Sequence, residues 1–176
     1  MRVIAGTLKG RRLLAPPPGD QRVRPTSDRA REALFSILQR WPVGPFLDLC
    51  AGTGAVGVEA HSRGYEPITC VEAAEPGWSC LLRNASGTGV KPLRTDLRRL
   101  ETGSFADQAV IFLDPPYDQS EDLWTRLGPR LRGWIAPWGV LVFETDRQTT
   151  LELQTGWALA ETREYGAARF HFWTPV

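Results

Sequence analysis

Asp114, Pro115, Pro116 and Tyr117 stand together as DPPY directly after the apolar run VIFL. Two adjacent prolines extend neither a strand nor a helix, so the segment serves something other than length. An acid, a stiff spacer and an aromatic ring at the end of a buried strand suit the presentation of an exocyclic amine on a nucleobase. Such an amine is a poor nucleophile, because its lone pair is delocalised into the ring. A carboxylate that accepts one N–H and a backbone carbonyl that accepts the other would draw the nitrogen toward tetrahedral geometry. Asp114 is the candidate carboxylate and Pro115 the candidate carbonyl. Pro116 stiffens the turn, and Tyr117 offers a flat face to an extruded base. Catalysis of this kind is alignment for in-line attack, with charge stabilisation as the amine becomes cationic. It requires no metal and no covalent enzyme intermediate. The bland alternative is a tight turn capped by aspartate.

A second constellation lies upstream. LDLCAGTGAVG carries Gly52, Gly54 and Gly57 as GxGxxG, with Ala51 and Thr53 between Cys50 and Gly54. Glu72 follows Gly52 by twenty residues, at the end of the next apolar run. Glycines for a tight turn and an acid for ribose hydroxyls are the fingerprint of a nucleotide cofactor. The pattern alone does not choose between NAD and S-adenosylmethionine. Asp48, four residues before Gly52, favours the second: a carboxylate there repels the pyrophosphate of a dinucleotide and attracts an ammonium and a sulfonium. Its bland alternative is a carboxylate that caps loop amides. Asp96, closing the run PLRTD, is placed to accept from an adenine amino group or to cap the LRRLE segment.

Elements must hold these groups together. RVIAG and GRRLLAP read as two short strands joined around residues 7–9, and PPPGDQRVRP as a loop. Thr26 or Ser27 caps a helix whose apolar face is Ala30, Ala33, Leu34, Ile37, Leu38 and Trp41, with Asp28, Arg31, Glu32 and Gln39 opposite. From Pro45 onward strands alternate with helices: FLDLC, AVGVEAHSRG, PITCVE, PGWSCLLRNA, KPLRTD, AVIFLD and SEDLWTRL, the last expected to break at Gly128 and Pro129. GVLVFET follows, and WALAETREY with ARFHFWT reads as an antiparallel closing pair. Such alternation predicts a doubly wound α/β sheet with functional loops at the strand C-ends.

Composition bounds the rest. In 176 residues, 42% hydrophobic and 23% charged, no apolar run nears the about 20 residues of a membrane helix. The N-terminus lacks a signal-peptide core, and Cys50, Cys70 and Cys80 have no metal spacing; a cytoplasmic protein with reduced thiols is expected. Residues 1–40 hold nine Lys and Arg against three Asp and Glu, a net of +6, while the remainder carries −5. A basic head on an acidic body points to a polyanion docking at one end. The histidines, His61 and His171, read as surface and strand residues. Of the seven tryptophans, Trp124 and Trp134 follow the DPPY strand and are the ones to compare with a base-stacking platform.

DPPY with LDLCAGTGAVG resembles the amino-group methyltransferases that use S-adenosylmethionine. MRVIAGTLKGRRL, RPTSDRAREALFSIL, GVEAHSRG and CVE resemble more narrowly the bacterial RsmD-type family, which methylates guanine N2 in small-subunit ribosomal RNA. The resemblance implies a Rossmann-like class I methyltransferase: a seven-stranded, mostly parallel sheet with an antiparallel C-terminal pair, residues 42–176, and an N-terminal hairpin and helix, residues 1–41, that cover cofactor and RNA. It implies Asp48, Ala51, Gly52, Thr53, Gly54, Gly57, Glu72, Asp96 and Thr26 at the cofactor, and the DPPY residues at the target base. Arg2, Lys9, Arg11, Arg12, Arg22, Arg24 and Arg29, with Arg31 beside them, are expected to grip phosphates. The expected partner is 16S ribosomal RNA in the 30S subunit or its precursor, at guanine 966, with the chain acting as a monomer without metal or membrane. Cys50 stands where the family usually has phenylalanine, and Ala73 and Ala74 replace a more polar pair. Since DPPY serves any exocyclic amine, a DNA adenine-N6 or cytosine-N4 methyltransferase is the first alternative. An NAD-dependent oxidoreductase and a non-catalytic RNA-binding module are the others.

Overall fold

Strand β1, Phe46–Leu49, is buried at every position, as a strand covered on both faces must be. The structure, a computed structural model, describes residues 1–16 and 26–176. Around β1 the described residues form one seven-stranded sheet in the order β3-β2-β1-β4-β5-β7-β6. The strands are β2 (Ile68–Val71), β3 (Val90–Leu93), β4 (Gln108–Leu113), β5 (Ile135–Asp146), β6 (Trp157–Tyr165) and β7 (Ala168–Pro175). β1 pairs in parallel with β2 and β4, β2 with β3, and β4 with β5. β7 is antiparallel to both β5 and β6. The chain order reverses between β1 and β4, which opens a crevice at the strand C-ends.

Alternate residues sort to opposite faces. Phe46, Val110, Phe112, Val142, Phe170 and Phe172 face helices α1 (Asp28–Leu38), α2 (Ala55–Ser62) and α3 (Gly77–Ala85). Leu47, Leu49, Ile111, Leu113, Leu141 and Phe143 face α4 (Ser120–Trp134). α4 runs through Gly128 and Pro129 without the expected break. Leu123, Trp124, Leu127, Leu131 and Trp134 bury one stripe of it, and that packing outweighs the hydrogen bond that Pro129 cannot donate. Trp124 and Trp134 are therefore core residues, not base platforms. Their indoles donate to the carbonyls of Glu152 at 2.6 Å and Thr102 at 2.7 Å.

The N-terminal pair of strands is also corrected. The arms form an antiparallel hairpin through one bridge, Arg2 with Arg12, and the bonds Val3 to Arg11, Gly10 to Val3 and Leu13 to Met1. They do not extend into longer strands, because the amides between turn to α2. Ile4 and Ala5 donate to the two carboxylate oxygens of Glu59 on α2, at 2.7 and 3.0 Å. Thr7 donates to the Ser62 carbonyl at 2.8 Å, and Leu8 to the Ser62 hydroxyl at 2.9 Å. Val3 and Leu13 join the core on the α1 face, and Trp41 stacks on Phe172 with ring centroids 5.8 Å apart. Residues 1–16 and 26–41 thus share one core with the sheet.

Ser27 caps α1, accepting the Ala30 amide at 3.1 Å. Arg31, expected on the polar face, is fully buried, and Phe35 is buried beside it. The Arg31 guanidinium donates to the carbonyls of Thr26 and Arg2 and to Asp28, at 3.1, 2.6 and 2.9 Å. Burial of this cation is tolerated because both terminal guanidinium nitrogens meet fixed acceptors and Asp28 pairs its charge. No helix among the described residues is long and apolar enough to cross a membrane.

Candidate active site

The parallel strands end in acids: Asp48 on β1, Glu72 after β2, Asp96 beyond β3, Asp114 after β4 and Glu144 on β5. All five line one cavity of about 590 Å³ at the C-terminal edge of the sheet, a size typical of small-molecule sites. The loop after β1 forms its floor. Gly52 and Gly54 have φ of +53° and +75°, a region costly for other residues. Gly57 sits at the first turn of α2, where a Cβ would meet the Cys70 Sγ at 2.1 Å. Ala51, Gly52 and Thr53 line the cavity, whereas Gly54 and Gly57 lie beneath it and shape the turn. Cys50 also lines it, in a left-handed conformation with φ of +58°, strain of the kind that functional loops hold.

Each acid has a defined place. Asp48 is 1% exposed. Its Oδ2 accepts the Gly57 amide at 2.9 Å, so it does cap the loop, while also facing the cavity. Burial pushes its carboxyl up to about 8, despite the Gly57 amide. Burial likewise raises the Cys50 and Cys70 thiols well above their ordinary range, which keeps both protonated and unreactive. Glu72 accepts the Gly52 amide at 2.8 Å and the Ala74 amide at 2.7 Å, tying the two loops together across β1 and β2. Asp96 caps the 3-10 turn Leu97–Arg99 through the Arg98 amide at 2.9 Å and also lines the cavity. Ala73 and Ala74 line it between Glu72 and Asp96.

The DPPY residues stand across from these groups. The Asp114 amide donates to the Leu49 carbonyl at 3.3 Å, which continues the β1–β4 register of Leu49 with Leu113. Thr26, just before α1, places Oγ1 3.5 Å from Asp114 Oδ2. Pro115 is buried, Pro116 exposed, and Tyr117 half-buried at the cavity wall. The segment therefore brings the sequence-predicted cofactor and target groups to one chamber.

The glycine-loop and DPPY patterns do not flag Glu144, Asn84 or Arg98. Glu144 carries a readable signal, an acid ending the apolar run VLVF, as Asp48 ends FL and Asp114 ends VIFL. Asn84 on α3 donates to the Thr53 carbonyl at 2.9 Å and to the Leu14 carbonyl at 3.0 Å; only the fold joins these. Arg98 lines the cavity and donates to Gln119 at 2.9 Å.

The basic residues divide. Arg2, Lys9, Arg12 and Arg29 are exposed, and a hollow of about 310 Å³ brings Arg2, Lys9 and Arg29 together with Asp28 and Glu32. Arg11 instead donates to the Asn84 and Ser86 carbonyls at 3.2 and 2.6 Å, at the C-terminal end of α3. Arg31 is a tie within the fold. Arg22, Arg24 and most of the PPPGDQRVRP loop lie outside the described residues. His171 is buried and bonds the Thr145 hydroxyl at 3.0 Å; burial lowers it to about 4.

The sheet order, the reversal beside β1 and the glycine-loop cavity define a Rossmann-like class I S-adenosylmethionine-dependent methyltransferase fold. The acids fit that cofactor: Glu72, Asp96, Asp114 and Glu144 line the cavity with Arg98 and with Asp48, which burial holds largely protonated, a set that suits a sulfonium and an ammonium and repels a pyrophosphate. A family model described as conserved hypothetical protein 95 matches residues 1–174, and the chain belongs to this family, the RsmD family. Two curated relatives are named ribosomal RNA small subunit methyltransferase D. The one from Haemophilus influenzae is 27% identical over 98% of this chain and 93% of its own length. The one from Escherichia coli K12 is 27% identical over 98% and 89%. Among solved structures, a hypothetical protein of Thermus thermophilus superposes with a TM-score of 0.83, 28% identity and coverage of 100% and 99%. An RNA methyltransferase of Salinibacter ruber in complex with S-adenosyl-L-homocysteine shares the fold, with a TM-score of 0.63, 18% identity and coverage of 86% and 94%.

Proposed function

We propose that the chain methylates the exocyclic N2 of a guanine in 16S ribosomal RNA, at guanine 966, on the 30S subunit or its late precursor in the cytoplasm. The observation that carries this reading is the single chamber in which Asp114, Pro115 and Tyr117 stand opposite Glu72 and the glycine loop. The names of the two curated relatives support the ribosomal substrate. Bound S-adenosylmethionine supplies the electrophilic methyl group. Glu72 takes the ribose hydroxyls and Asp96 the adenine, and Asp48 takes the cationic end, giving up its proton as that charge arrives. The Asp114 carboxylate and the Pro115 carbonyl accept hydrogen bonds from the two amine N–H groups, and Tyr117 stacks the base. As N2 gains the methyl, S-adenosylhomocysteine is the leaving group and the proton N2 loses passes to Asp114. Alignment lowers the barrier, and the Asp114 carboxylate stabilises the amine as it becomes cationic.

Guanine N2 lies on the Watson–Crick edge, so the base must be unpaired or extruded before Asp114 can reach it. Residues 1–41 act as the RNA-facing extension, with Arg2, Lys9, Arg12 and Arg29 holding phosphates. Residues 42–176 are the methyltransferase domain, and the chain works as a monomer. The test is transfer from methyl-labelled S-adenosylmethionine to unmodified 30S subunits, naked 16S RNA, tRNA and duplex DNA. The expected result is N2-methylguanosine with the particle as best substrate. N6-methyladenine or N4-methylcytosine in duplex DNA would replace this reading with a DNA amino-methyltransferase.

A further inference from the structure

Glu144 is the cavity acid to which the proposed reaction gives no role. It lies near the end of β5 and is 5% exposed. Val140 and Val142 of β5 pack on the same face of the sheet as Val110 and Phe112 of β4. The two-residue period carries Glu144 and Asp114 to that face as well. Leu113 pairs with Phe143, so Asp114 and Glu144 follow as neighbours on strands that lie about 4.8 Å apart. Asp48, Glu72 and Asp96 stand on the other side of Asp114, at β1, β2 and β3. Glu144 therefore faces the half of the chamber away from the cofactor acids, where Tyr165 and Ala168 of the β6–β7 hairpin close the wall.

We infer that Glu144 selects the target base by accepting the N1–H of guanine, beside the N2 amine held by Asp114 and the Pro115 carbonyl; this rests on the guanine-N2 reading above. Guanine presents three donor hydrogens on that edge, one at N1 and two at N2. Adenine and cytosine also present an amine, but the ring nitrogen beside it is an acceptor. A carboxylate has acceptors only. DPPY grips the amine of all three bases, and Glu144 pairs with one and opposes the other two. Its burial strengthens the discrimination, since an unmatched polar pair inside a dry wall is costly.

The test uses small-subunit particles reconstituted with guanine or 2-aminopurine at the methylated position. 2-Aminopurine keeps the 2-amino group and lacks the N1–H. Wild-type protein should prefer guanine by about 100-fold or more in kcat/KM. Glu144→Gln offers an amide N–H to a bare N1, so it should lose rate on guanine and compress the preference to about tenfold or less. Glu144→Asp keeps the acceptors and should keep the preference at a lower kcat. S-Adenosylmethionine affinity by calorimetry should stay within about twofold in both variants, as expected for a group outside the cofactor half. A wild-type preference retained in Glu144→Gln, or lost in Glu144→Asp, overturns the inference while leaving the guanine-N2 reading intact. Absence of N2-methylguanosine from the wild-type reaction on guanine particles removes both.

Discussion

Asp48 Oδ2 lies 2.9 Å from the Gly57 amide, inside the first turn of α2. The same oxygen is 3.8 Å from the Cys70 thiol. A carboxylate thus fastens the helix to the strand that precedes its loop, and it does so almost without water. Burial raises its carboxyl to about 8. A raised folded-state value means that Asp48 favours the fold fully below its ordinary value of about 4 and loses that contribution as the pH climbs toward about 8. Asp48→Asn keeps the acceptor for Gly57 and cannot ionise. Urea midpoints at pH 5 and pH 8 should show the variant gaining on the wild type by about 2–4 kcal/mol across the interval. His171 titrates in both proteins and cancels. Parallel pH profiles would remove Asp48 as the source.

Asp114 and Glu72 stand on opposite sides of the chamber, and their substitutions should separate. Asp114→Ala is expected to abolish methyl transfer while leaving S-adenosylmethionine binding within a few-fold. Glu72→Ala should weaken that binding by about 1–3 kcal/mol, the cost of losing a charged partner to two hydroxyls. Calorimetry and single-turnover rates read the two effects independently. Transfer near the wild-type rate in Asp114→Ala, or unchanged affinity in Glu72→Ala, would contradict these assignments.

The outer basic face makes a salt-dependent prediction. Replacing Arg2 and Arg12 together by Gln should weaken RNA binding and reduce the slope of log K against log salt by about one to two. Cofactor affinity should not change. Arg11 is a poor choice for this test because it serves the end of α3. An unaltered slope would place the RNA on another face.

Arg31 is the tie that joins α1 to the chain start. Arg31→Met preserves its bulk but leaves the carbonyls of Arg2 and Thr26 without their donor. A loss of about 2–4 kcal/mol in unfolding free energy is expected. Unchanged stability would mean that the guanidinium contributes no net binding between these segments.

The sheet and the strand-end acids were readable because a strand covered on both faces must be apolar throughout and can turn polar only where it leaves the core. ITCV and QAVIFL show this, and Glu72 and Asp114 mark the exits; FLDL departs from it at the buried Asp48. What could not be read depends on long-range partners. Arg31 looks like a surface residue by helical period, since its acceptor at Arg2 is 29 positions away. The N-terminal hairpin pairs only through Val3, Gly10 and Leu13, since the amides of Ile4, Ala5, Thr7 and Leu8 go to Glu59 and Ser62 on α2. Pro129 looks like a helix end, since the buried stripe from Leu123 to Trp134 is invisible to local propensity. Glu144 carried the same mark as Asp114, but without a glycine loop or a proline pair beside it.

Glu59 has a broader consequence. It is fully buried, receives the amides of Ile4 and Ala5, and pairs with Arg63 at 2.8 Å. Cutting away the chain start would leave that carboxylate with Arg63 alone, without the two amides that complete its bonds. The basic head is therefore not a cassette that could be traded among relatives while the catalytic body stays whole. If the outward residues Arg2, Lys9, Arg12 and Arg29 hold RNA as proposed, affinity changes through charge there, over anchors that stay put. In this architecture the chain start and α2 are one folded unit whose outer face alone is free to change.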